Sequence, residues 1–562
     1  MTYGGGPGRG RARPAEVSTG RAAGPGGQRF CDNRCHGVGR AAGTPEPVAP
    51  FGSASPDDAR WASPPAANRG KDELSQLMSQ MEPTDFVKEI TKMSVDFDRW
   101  YTDVVRKAEM ADYTPVRGCM VIRPYGYAIW ENIQRAFDDM IKSSGHQNMY
   151  FPLLIPEELL MKEAEHVQGF TPEVAWVTRA GSHGELDQPL AIRPTSETII
   201  GTIMRRYIHS YRDLPQLTNQ WCNVLRWELR TRLFLRTAEF LWQEGHTFHA
   251  SPEEARSEVD LILDYYRQIA EDWLAMPVLA GMKTDSEKFA GAVYSKSIEA
   301  LMRDGLALQA GTSHYLGQNF ATAYDIAFSG RDNQRQFCHT TSWGISTRLI
   351  GGLIMAHGDD SGLIMPPRIA PIQVVVVPIF RDQEGRDRIE RFIAGWAPAL
   401  SRAKVRYKVD WSERRPGEKY SEYELKGVPL RLEVGPRDVD ANQVMVVSRL
   451  DRSKLALPVD ALEERLPELL DSFHGALYQR ALDFRTENSF EFTQLSELLA
   501  HFRDRSGLAW VDWCESPECE AQIKAETGGV TIRNFDPRGV AGTPCIVCGR
   551  PGRLRVVLAR SY

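Results

Sequence analysis

The sequence contains no apolar run approaching the roughly 18 residues that a membrane-spanning helix needs, so none is predicted. Its nine cysteines are too few for a disulfide scaffold in a chain of 562 residues. Cys119, Cys222 and Cys338 are scattered through apolar stretches, where we expect reduced thiols. The formal net charge is only −6, so any binding of nucleic acid would depend on local basic patches. These absences predict a cytoplasmic protein with no membrane partner.

Lysine is absent from residues 1–70, which are about one-third glycine and proline. Such a composition cannot build a core, and it also forbids the amphipathic helix of a targeting peptide. We therefore expect residues 1–80 to be a disordered tail, or an upstream extension of a gene that begins at Met78, Met81 or Met93. The remaining chain has ordinary globular composition and is long enough for several domains.

A Gly-rich phosphate loop is also missing, but residues 226–244 carry another set of groups suited to a nucleotide. On paired strands, the even spacings would place Arg226, Glu228, Arg236, Phe240 and Glu244 on one face. Guanidinium forks suit phosphate or carboxylate oxygens, an aromatic ring suits a base, and a carboxylate suits an exocyclic amine. The same spacing also fits a plain antiparallel hairpin with cross-strand ion pairs.

This stretch resembles motif 2 of the class II aminoacyl-tRNA synthetases. With Asn219-Gln220-Trp221 before it and Gly245-His246-Thr247 after it, it is similar in particular to the prolyl-tRNA synthetases. The resemblance runs from about Asp85 to Tyr562. It implies an α/β (α+β) architecture with an antiparallel-sheet catalytic domain over residues 81–369. It also implies an ATP-dependent ligase that converts L-proline to prolyl-adenylate and transfers the prolyl group to tRNA(Pro).

Several segments match the proline pocket of that family. The run Arg193-Pro194-Thr195-Ser196-Glu197 implies that Thr195 and Glu197 hold the amino group of proline. Chemically, a secondary ammonium group needs a carboxylate and a neutral acceptor in a small dry site. By the same resemblance, Trp242, Phe289 and His314 wall the prolyl ring.

Residues 342–348 resemble motif 3, which implies that Arg348 and Phe240 sandwich the adenine. Arg226 would bridge the proline carboxylate and the α-phosphate, and Arg348 with Mg²⁺ would clamp the outer phosphates. Arg226 and Arg348 are thus the expected catalytic residues. The expected ATP-binding set is Arg226, Glu228, Arg236, Phe240, Gln309, Thr312 and Arg348.

Apolar periodicity predicts helices over residues 85–107 and 125–144, and a strand over 146–155 follows. A long helix, a strand and Pro152 resemble motif 1, which implies a homodimer. The same pattern also fits a helix and an edge strand within one chain.

Strands alternate with helices over residues 370–484, beginning with a β-branched run at 372–378 that predicts a buried parallel strand. This region resembles the anticodon-binding domain of the same synthetases. The resemblance covers residues 427–438, and Glu433 and Arg437 are the expected contacts to anticodon bases.

Residues 485–562 contain two cysteine pairs with metal-ligand spacing, Cys514 with Cys519 and Cys545 with Cys548. Four thiolates predict one closed, structural zinc site. A small α+β zinc-binding domain at the C-terminus is similar to that of archaeal and eukaryotic-type prolyl-tRNA synthetases. In those proteins the terminal carboxylate approaches the active site, which implies the same for Tyr562.

The interval between Glu244 and Ser342 is occupied by a predicted helix over 251–275 and by the pocket segments, which leaves no room for an inserted editing domain. We therefore expect mischarged tRNA to be cleared by a separate trans-editing protein. Two other functions fit parts of the pattern. One is a paralogue that forms an adenylate without charging tRNA, and the other is a non-enzymatic zinc- and RNA-binding protein on a synthetase core.

Overall fold

A computed structural model of the chain describes residues 90–166, 173–181, 184–228 and 230–562. The tail predicted over residues 1–80 and the first residues of the helix predicted over 85–107 lie outside these ranges. Among the described residues, no helix is both long and apolar enough to cross a bilayer.

A twisted sheet of eleven strands forms the centre of the molecule, in the order β20-β21-β23-β22-β9-β10-β11-β14-β8-β7-β3. Neighbouring strands in this sheet are antiparallel, except that β3 is parallel to β7 and β20 is parallel to β21. The strands of this sheet between residues 147 and 346 are β3 (Gln147–Asn148), β7 (Gln216–Leu225), β8 (Glu239–His249), β9 (Val278–Met282), β10 (Tyr294–Leu301), β11 (Ala307–Gly317) and β14 (His339–Ser346).

One face of this sheet is covered by helices whose apolar sides share a large core. Ile129, Trp130, Ile133 and Phe137 of α2 are buried in it, as the helical periodicity predicts. The helices concerned are α1 (Phe97–Lys107), α2 (Pro124–Ser143), α5 (Pro252–Gln268, continued by a π-helical turn at Ile269–Trp273) and α7 (Arg348–His357).

The helix predicted over residues 85–107 is too long at its start. Residues 90–96 form a turn in which the Lys92 carbonyl accepts hydrogen bonds from the Val95 and Asp96 amides at 3.0 and 3.2 Å. Asp96 then caps α1 by accepting from the Arg99 amide at 2.9 Å.

Shorter helices and strands lie along the chain between residues 111 and 337. The strand predicted over 146–155 is two short pieces, β3 and β4, because the chain leaves one sheet and joins another around Pro152. The elements are β1 (Ala111–Tyr113), β2 (Met120–Ile122), β4 (Leu154–Pro156), α3 (Glu157–His166), β5 (Trp176–Arg179), β6 (Glu185–Ile192), α4 (Glu197–Met204), a 3₁₀ turn (Tyr211–Asp213), α6 (Asn319–Ala323), β12 (Ala327–Ser329) and β13 (Arg335–Phe337).

A second, five-stranded sheet follows in the order β16-β15-β17-β18-β19. Its β15 is entirely buried and parallel to both neighbours, as the β-branched run predicts. The edge strand β19 was not predicted from the sequence. The elements are β15 (Val374–Pro378), α8 (Gln383–Arg402), β16 (Tyr407–Val409), α9 (Pro416–Leu425), β17 (Leu430–Val434), α10 (Pro436–Asp440), β18 (Gln443–Ser448), β19 (Lys454–Pro458), a 3₁₀ turn (Val459–Ala461) and α11 (Leu462–Glu487).

The C-terminal segment, residues 488–562, does not form a separate sheet, because its strands continue the eleven-stranded sheet. The junction is the pairing of Phe535 on β22 with Met282 on β9. A side chain at Gly281 would place its Cβ 2.7 Å from the Phe535 carbonyl oxygen, so only glycine permits this close approach. The elements are β20 (Ser489–Glu491), α12 (Leu495–Asp504), β21 (Leu508–Trp513), α13 (Pro517–Glu526), β22 (Thr531–Phe535) and β23 (Leu554–Ala559).

Candidate active site

The open face of the eleven-stranded sheet holds a cavity of about 590 Å³. Strands β8, β11 and β14 form its floor, and the loop between β7 and β8 forms one wall. The cavity brings together every residue that the sequence predicted for proline or ATP: Thr195, Glu197, Arg226, Glu228, Arg236, Phe240, Trp242, Phe289, Gln309, Thr312, His314 and Arg348.

The strand prediction for three of these residues is wrong. Strand β7 ends at Leu225 and β8 begins at Glu239, so Arg226, Glu228 and Arg236 lie in the intervening loop. The loop is held by turns rather than by a ladder, with the Arg232 carbonyl accepting from the Arg236 amide at 2.9 Å. Arg236 nevertheless meets Glu228 in an ion pair of 2.8 Å, so both side chains reach the cavity.

Arg226 occupies the middle of the cavity wall. Its Nε donates to the Pro194 carbonyl at 2.9 Å, and its guanidinium lies 5.6 and 5.5 Å from the ring centroids of Phe240 and Trp242. Burial lowers the pKa of Arg226, and the charge of Glu197 is the largest of the nearby effects that oppose this shift. An arginine that lines the cavity close to carboxylates and aromatic faces is well placed to bind an anionic group.

One end of the cavity is small and rich in rings. Thr195 donates a hydrogen bond to Glu197, the first residue of α4. The Phe289 and His314 rings lie 4.8 Å apart, and His314 Nδ1 is 2.7 Å from the Ser295 hydroxyl. Burial lowers the pKa of His314 to about 3, so its ring is neutral at physiological pH. This end can hold a compact apolar ring next to a cation.

The other end concentrates positive charge. Arg348 begins α7, and its Nε donates to the Leu235 carbonyl at 3.0 Å. Burial lowers the pKa of Arg348, and the charges of Arg226 and Arg236 add to the shift. Like charges held this close favour an anion between them, and a polyphosphate supplies one.

The sequence-based prediction placed Glu244 on this face but missed its ion pair with His246 on the cavity floor. Glu244 and His246 follow Phe240 and Trp242 at alternate positions of β8, so all four line the cavity. Burial raises the pKa of the Glu244 carboxyl, but hydrogen bonds, above all from His246, outweigh it and leave the pKa lowered. Burial conversely lowers the pKa of His246, and the hydrogen bond to Glu244 and nearby charges leave it raised. The period of two along β8 is the signal that identifies both.

Lys283 was also missed. Its side chain is 3% exposed, yet it lines the cavity and donates to the Gln309 side-chain oxygen at 2.9 Å. It follows β9 directly, and no local motif distinguishes it from a surface lysine.

The four C-terminal cysteines form one cluster, in which the sulfur atoms all lie within 4.8 Å of one another. Cys514 Sγ is 3.7 Å from Cys519 Sγ and 3.6 Å from Cys548 Sγ. These spacings fit a tetrahedron with metal–sulfur bonds of about 2.3 Å. A hydrogen bond from Arg550 lowers the pKa of Cys548 to about 6, so this residue is a thiolate at neutral pH, the form that binds metal.

The remaining predicted residues lie away from the cavity or at its edge. Glu433 is on β17 and paired with Arg431 at 2.9 Å, whereas Arg437 on α10 is exposed. The Tyr562 hydroxyl donates to Asp304, and its ring lies 5.5 Å from the guanidinium of Arg232 in the loop that walls the cavity. The position expected for its terminal carboxylate stays a prediction.

Comparison with known proteins covers the three regions in turn. The model described as tRNA synthetase class II core domain (G, H, P, S and T) matches residues 180–357. An anticodon binding domain model matches residues 373–469, and a model of the prolyl-tRNA synthetase C-terminal region matches 495–562.

Individual relatives match over nearly their whole length. A proline–tRNA ligase of Symbiobacterium thermophilum is 51% identical over 490 residues, 86% of this chain and 100% of the relative. One of Alkaliphilus oremlandii is 50% identical over 483 residues, 85% of this chain and 98% of the relative. The crystal structure of prolyl-tRNA synthetase from Cryptosporidium parvum with L-proline and AMP has a TM-score of 0.79 and 39% identity, covering 84% of this chain and 100% of that one.

Proposed function

Because this chain belongs to the prolyl-tRNA synthetase family and is a class II proline–tRNA ligase, we propose that proline and ATP are joined in the cavity around Arg226. The observation that carries this assignment is the guanidinium of Arg226, which lines the cavity between the ring-lined end and the cationic end. At that position it bridges the carboxylate of proline and the α-phosphate of ATP.

The reaction needs no covalent nucleophile from the protein. The proline carboxylate attacks the α-phosphorus, its oxygen forms the new P–O bond, and pyrophosphate leaves. Catalysis is then positioning and charge neutralisation by Arg226 and Arg348. Mg²⁺ bound to ATP neutralises the outer phosphates when it is present. The adenylate transfers its prolyl group to the 3′ end of tRNA(Pro) in a second step.

The ring-lined end is the proline site. Thr195 and Glu197 accept from its ammonium group, and Trp242, Phe289 and His314 enclose the ring. The neutral state of His314 supports this, because a charged imidazole would repel the ammonium.

The cationic end is the ATP site. Adenine lies between Phe240 and Arg348, Glu228 accepts from its amine, and Arg236, Gln309 and Thr312 hold the nucleotide. The present Glu228–Arg236 pair is half-exposed, so ATP can separate it at little cost.

The test is proline-dependent ATP–pyrophosphate exchange. Arg226→Ala is expected to lose at least about 100-fold in rate, which is the usual cost of one preorganised donor. Arg267→Ala, on the exposed face of α5, is the matched control and should exchange normally. Comparable exchange with threonine, or a robust Arg226→Ala rate, contradicts the assignment.

The cysteine cluster is proposed to hold one structural zinc ion through Cys514, Cys519, Cys545 and Cys548. The spacing of the sulfur atoms and the thiolate character of Cys548 support this. All four ligand positions are filled by protein, so the metal has no open position for catalysis.

The chain is further proposed to be a cytoplasmic homodimer that reads tRNA(Pro) with residues 370–484, including Glu433 and Arg437. The seven described cysteines are free, in keeping with a reducing compartment.

The apolar face of α2 is filled by its own chain, so the dimer face is expected beside it, where Tyr150 is 74% exposed. Tyr150→Glu should convert the dimer to monomer in light scattering, and an unchanged mass argues for another face.

Proofreading is proposed to be left to a separate protein. Alanine lacks two ring methylenes of proline, and differential binding rejects it by about 1–3 kcal/mol for each. The purified enzyme should therefore form measurable Ala-tRNA(Pro) and Cys-tRNA(Pro). Given Ala-tRNA(Pro) directly, it should not deacylate it, and hydrolysis well above the uncatalysed rate reveals an editing site in this chain.

A further inference from the structure

A buried row of charged side chains connects the C-terminal segment to the cavity. Arg533 on β22 donates two hydrogen bonds, of 3.2 and 3.1 Å, to Oε2 of Glu299 on β10. The other oxygen of Glu299 accepts from Lys283 at 3.3 Å. The Arg533, Glu299 and Lys283 side chains are 6%, 1% and 3% exposed. Charges this deep are tolerated only as a paired set, so the three depend on one another.

At the cavity end of this row, Lys283 contacts the side chain of Gln309. Its Nζ lies 2.9 Å from Gln309 Oε1, and Gln309 is the cross-strand partner of Glu299. An ammonium group only donates, so the Gln309 atom that faces it must be the oxygen. The NH₂ group is therefore what Gln309 offers to a ligand in the cavity. It can donate only to an acceptor, such as a ribose hydroxyl or a phosphate oxygen.

The C-terminal segment also fixes Lys283 directly. The Arg533 main-chain carbonyl accepts from Lys283 at 3.3 Å, a third partner beside Glu299 and Gln309. Asn534 secures the same junction by donating to the Leu279 carbonyl at 2.7 Å. Strand β22 thus sets the position of an ammonium group whose other contact is at the cavity.

We propose that Lys283 is a positioning residue that orients the Gln309 amide for nucleotide binding, and that Arg533 holds Lys283 in place. The inference rests on the contact between Gln309 and ATP proposed above. It assigns the C-terminal segment a part in forming the nucleotide site, beyond binding its own metal.

The experiment is a double-mutant cycle with Lys283→Met and Gln309→Ala in proline-dependent exchange. Lys283→Met keeps the length of the side chain and leaves the Glu299–Arg533 pair balanced. We expect it to raise the KM for ATP about tenfold, the scale of one well-oriented hydrogen bond, while the KM for proline changes less than about twofold. Because Lys283 acts through Gln309, the double variant should be no worse than Gln309→Ala alone.

Two further variants and an ATP analogue distinguish the possible outcomes. Arg555→Met on β23 is the control from the same segment. It removes an exposed ion pair with Glu491 on β20 and should leave both KM values unchanged. Arg533→Lys keeps the positive charge but loses the two guanidinium N–H donors that bind Glu299. It should raise the KM for ATP less than Lys283→Met does. If Lys283→Met does not fold, the cycle with Arg533→Lys and Gln309→Ala replaces it. With 2′-deoxy-ATP, the effect of Gln309→Ala disappears if the acceptor is the 2′-hydroxyl and persists if it is a phosphate.

Additive losses in the double variant, or equal rises in both KM values, overturn the inference. If instead Gln309→Ala leaves the KM for ATP unchanged, the proposed contact of Gln309 with ATP is what fails.

Discussion

At the scale of single residues, the Glu244–His246 pair makes stability depend on pH. The pKa of His246 is raised above 6.5 in the folded state. Its charge therefore stabilises the fold fully below about pH 6.5, and this contribution is lost as the pH rises through the folded-state pKa.

We predict that His246→Gln lowers the free energy of unfolding by about 3 kcal/mol at pH 6, since Glu244 keeps its hydrogen bonds from Ser196 and Gln220 but loses its charged partner. The deficit should shrink as the pH rises through the folded-state pKa of His246, because the native imidazole then loses its charge. Thermal unfolding measured from pH 6 to pH 9 checks this, with exposed His209→Gln as the control. A deficit that does not vary with pH would show that the imidazole is uncharged throughout.

The residues around the cavity were largely predictable, because motif resemblance selects side chains by chemistry and all those chosen line one space. Their individual roles stay predictions until the variants are measured. Lys283 was not predictable, since its environment is created by Arg533, 250 positions further along the chain. His246 was predictable in principle from the alternation along β8.

At the scale of elements, the sequence pattern located most helices and strands but not the loop from Arg226 to Ala238. An even spacing of polar residues predicts a strand only where a partner strand pairs with it, and here the ladder stops at Leu225. Phe234, with φ of 61°, marks the turn inside the loop. Helix α1 was predicted too long because Ile90 and Met93 pack against the core from a turn, which periodicity alone does not distinguish from a helix.

Helix α13 links the cysteine cluster to the cavity wall. Cys519 lies in its first turn, and the next residue, Glu520, accepts hydrogen bonds from Thr284 at 2.7 Å and Ser286 at 2.8 Å. Cys545→Ser should therefore lower the zinc content, reduce Tm by about 5 °C or more and weaken exchange together. Metal analysis, calorimetry and exchange on one preparation test this. Cys119→Ser, outside the cluster, is the control, and full activity with unshifted Tm after metal removal contradicts the assignment.

At the scale of the whole molecule, the first 77 residues are expected to contribute nothing to folding or charging. Their glycine and proline content gives them no core to bury. A variant lacking residues 1–77 should keep the Tm and the rate of tRNA charging of the full chain. Loss of soluble protein on truncation would show that the segment packs against the rest.

A second sheet after residue 370 and the C-terminal cysteine cluster were predictable from the alternation of strands with helices and from the cysteine spacing, whereas the domain bounds stay predictions. The continuity of the central sheet was not, because the pairing of β9 with β22 joins strands that are far apart in the chain. Pairing between distant strands leaves no local signature in either of them.

That same junction has a consequence for how the protein is made. A ribosome adding about 5–20 residues per second completes β9 and β10 roughly 10–50 s before β22 emerges. Throughout that interval β9 is an open edge, with its amide and carbonyl groups free to pair with another nascent chain. Lys283 and Glu299 meanwhile lack Arg533, so the nascent catalytic part holds its whole cavity lining without the final arrangement of charges. If Lys283 orients Gln309 as proposed, the nascent chain binds nucleotide more weakly until β22 has been added.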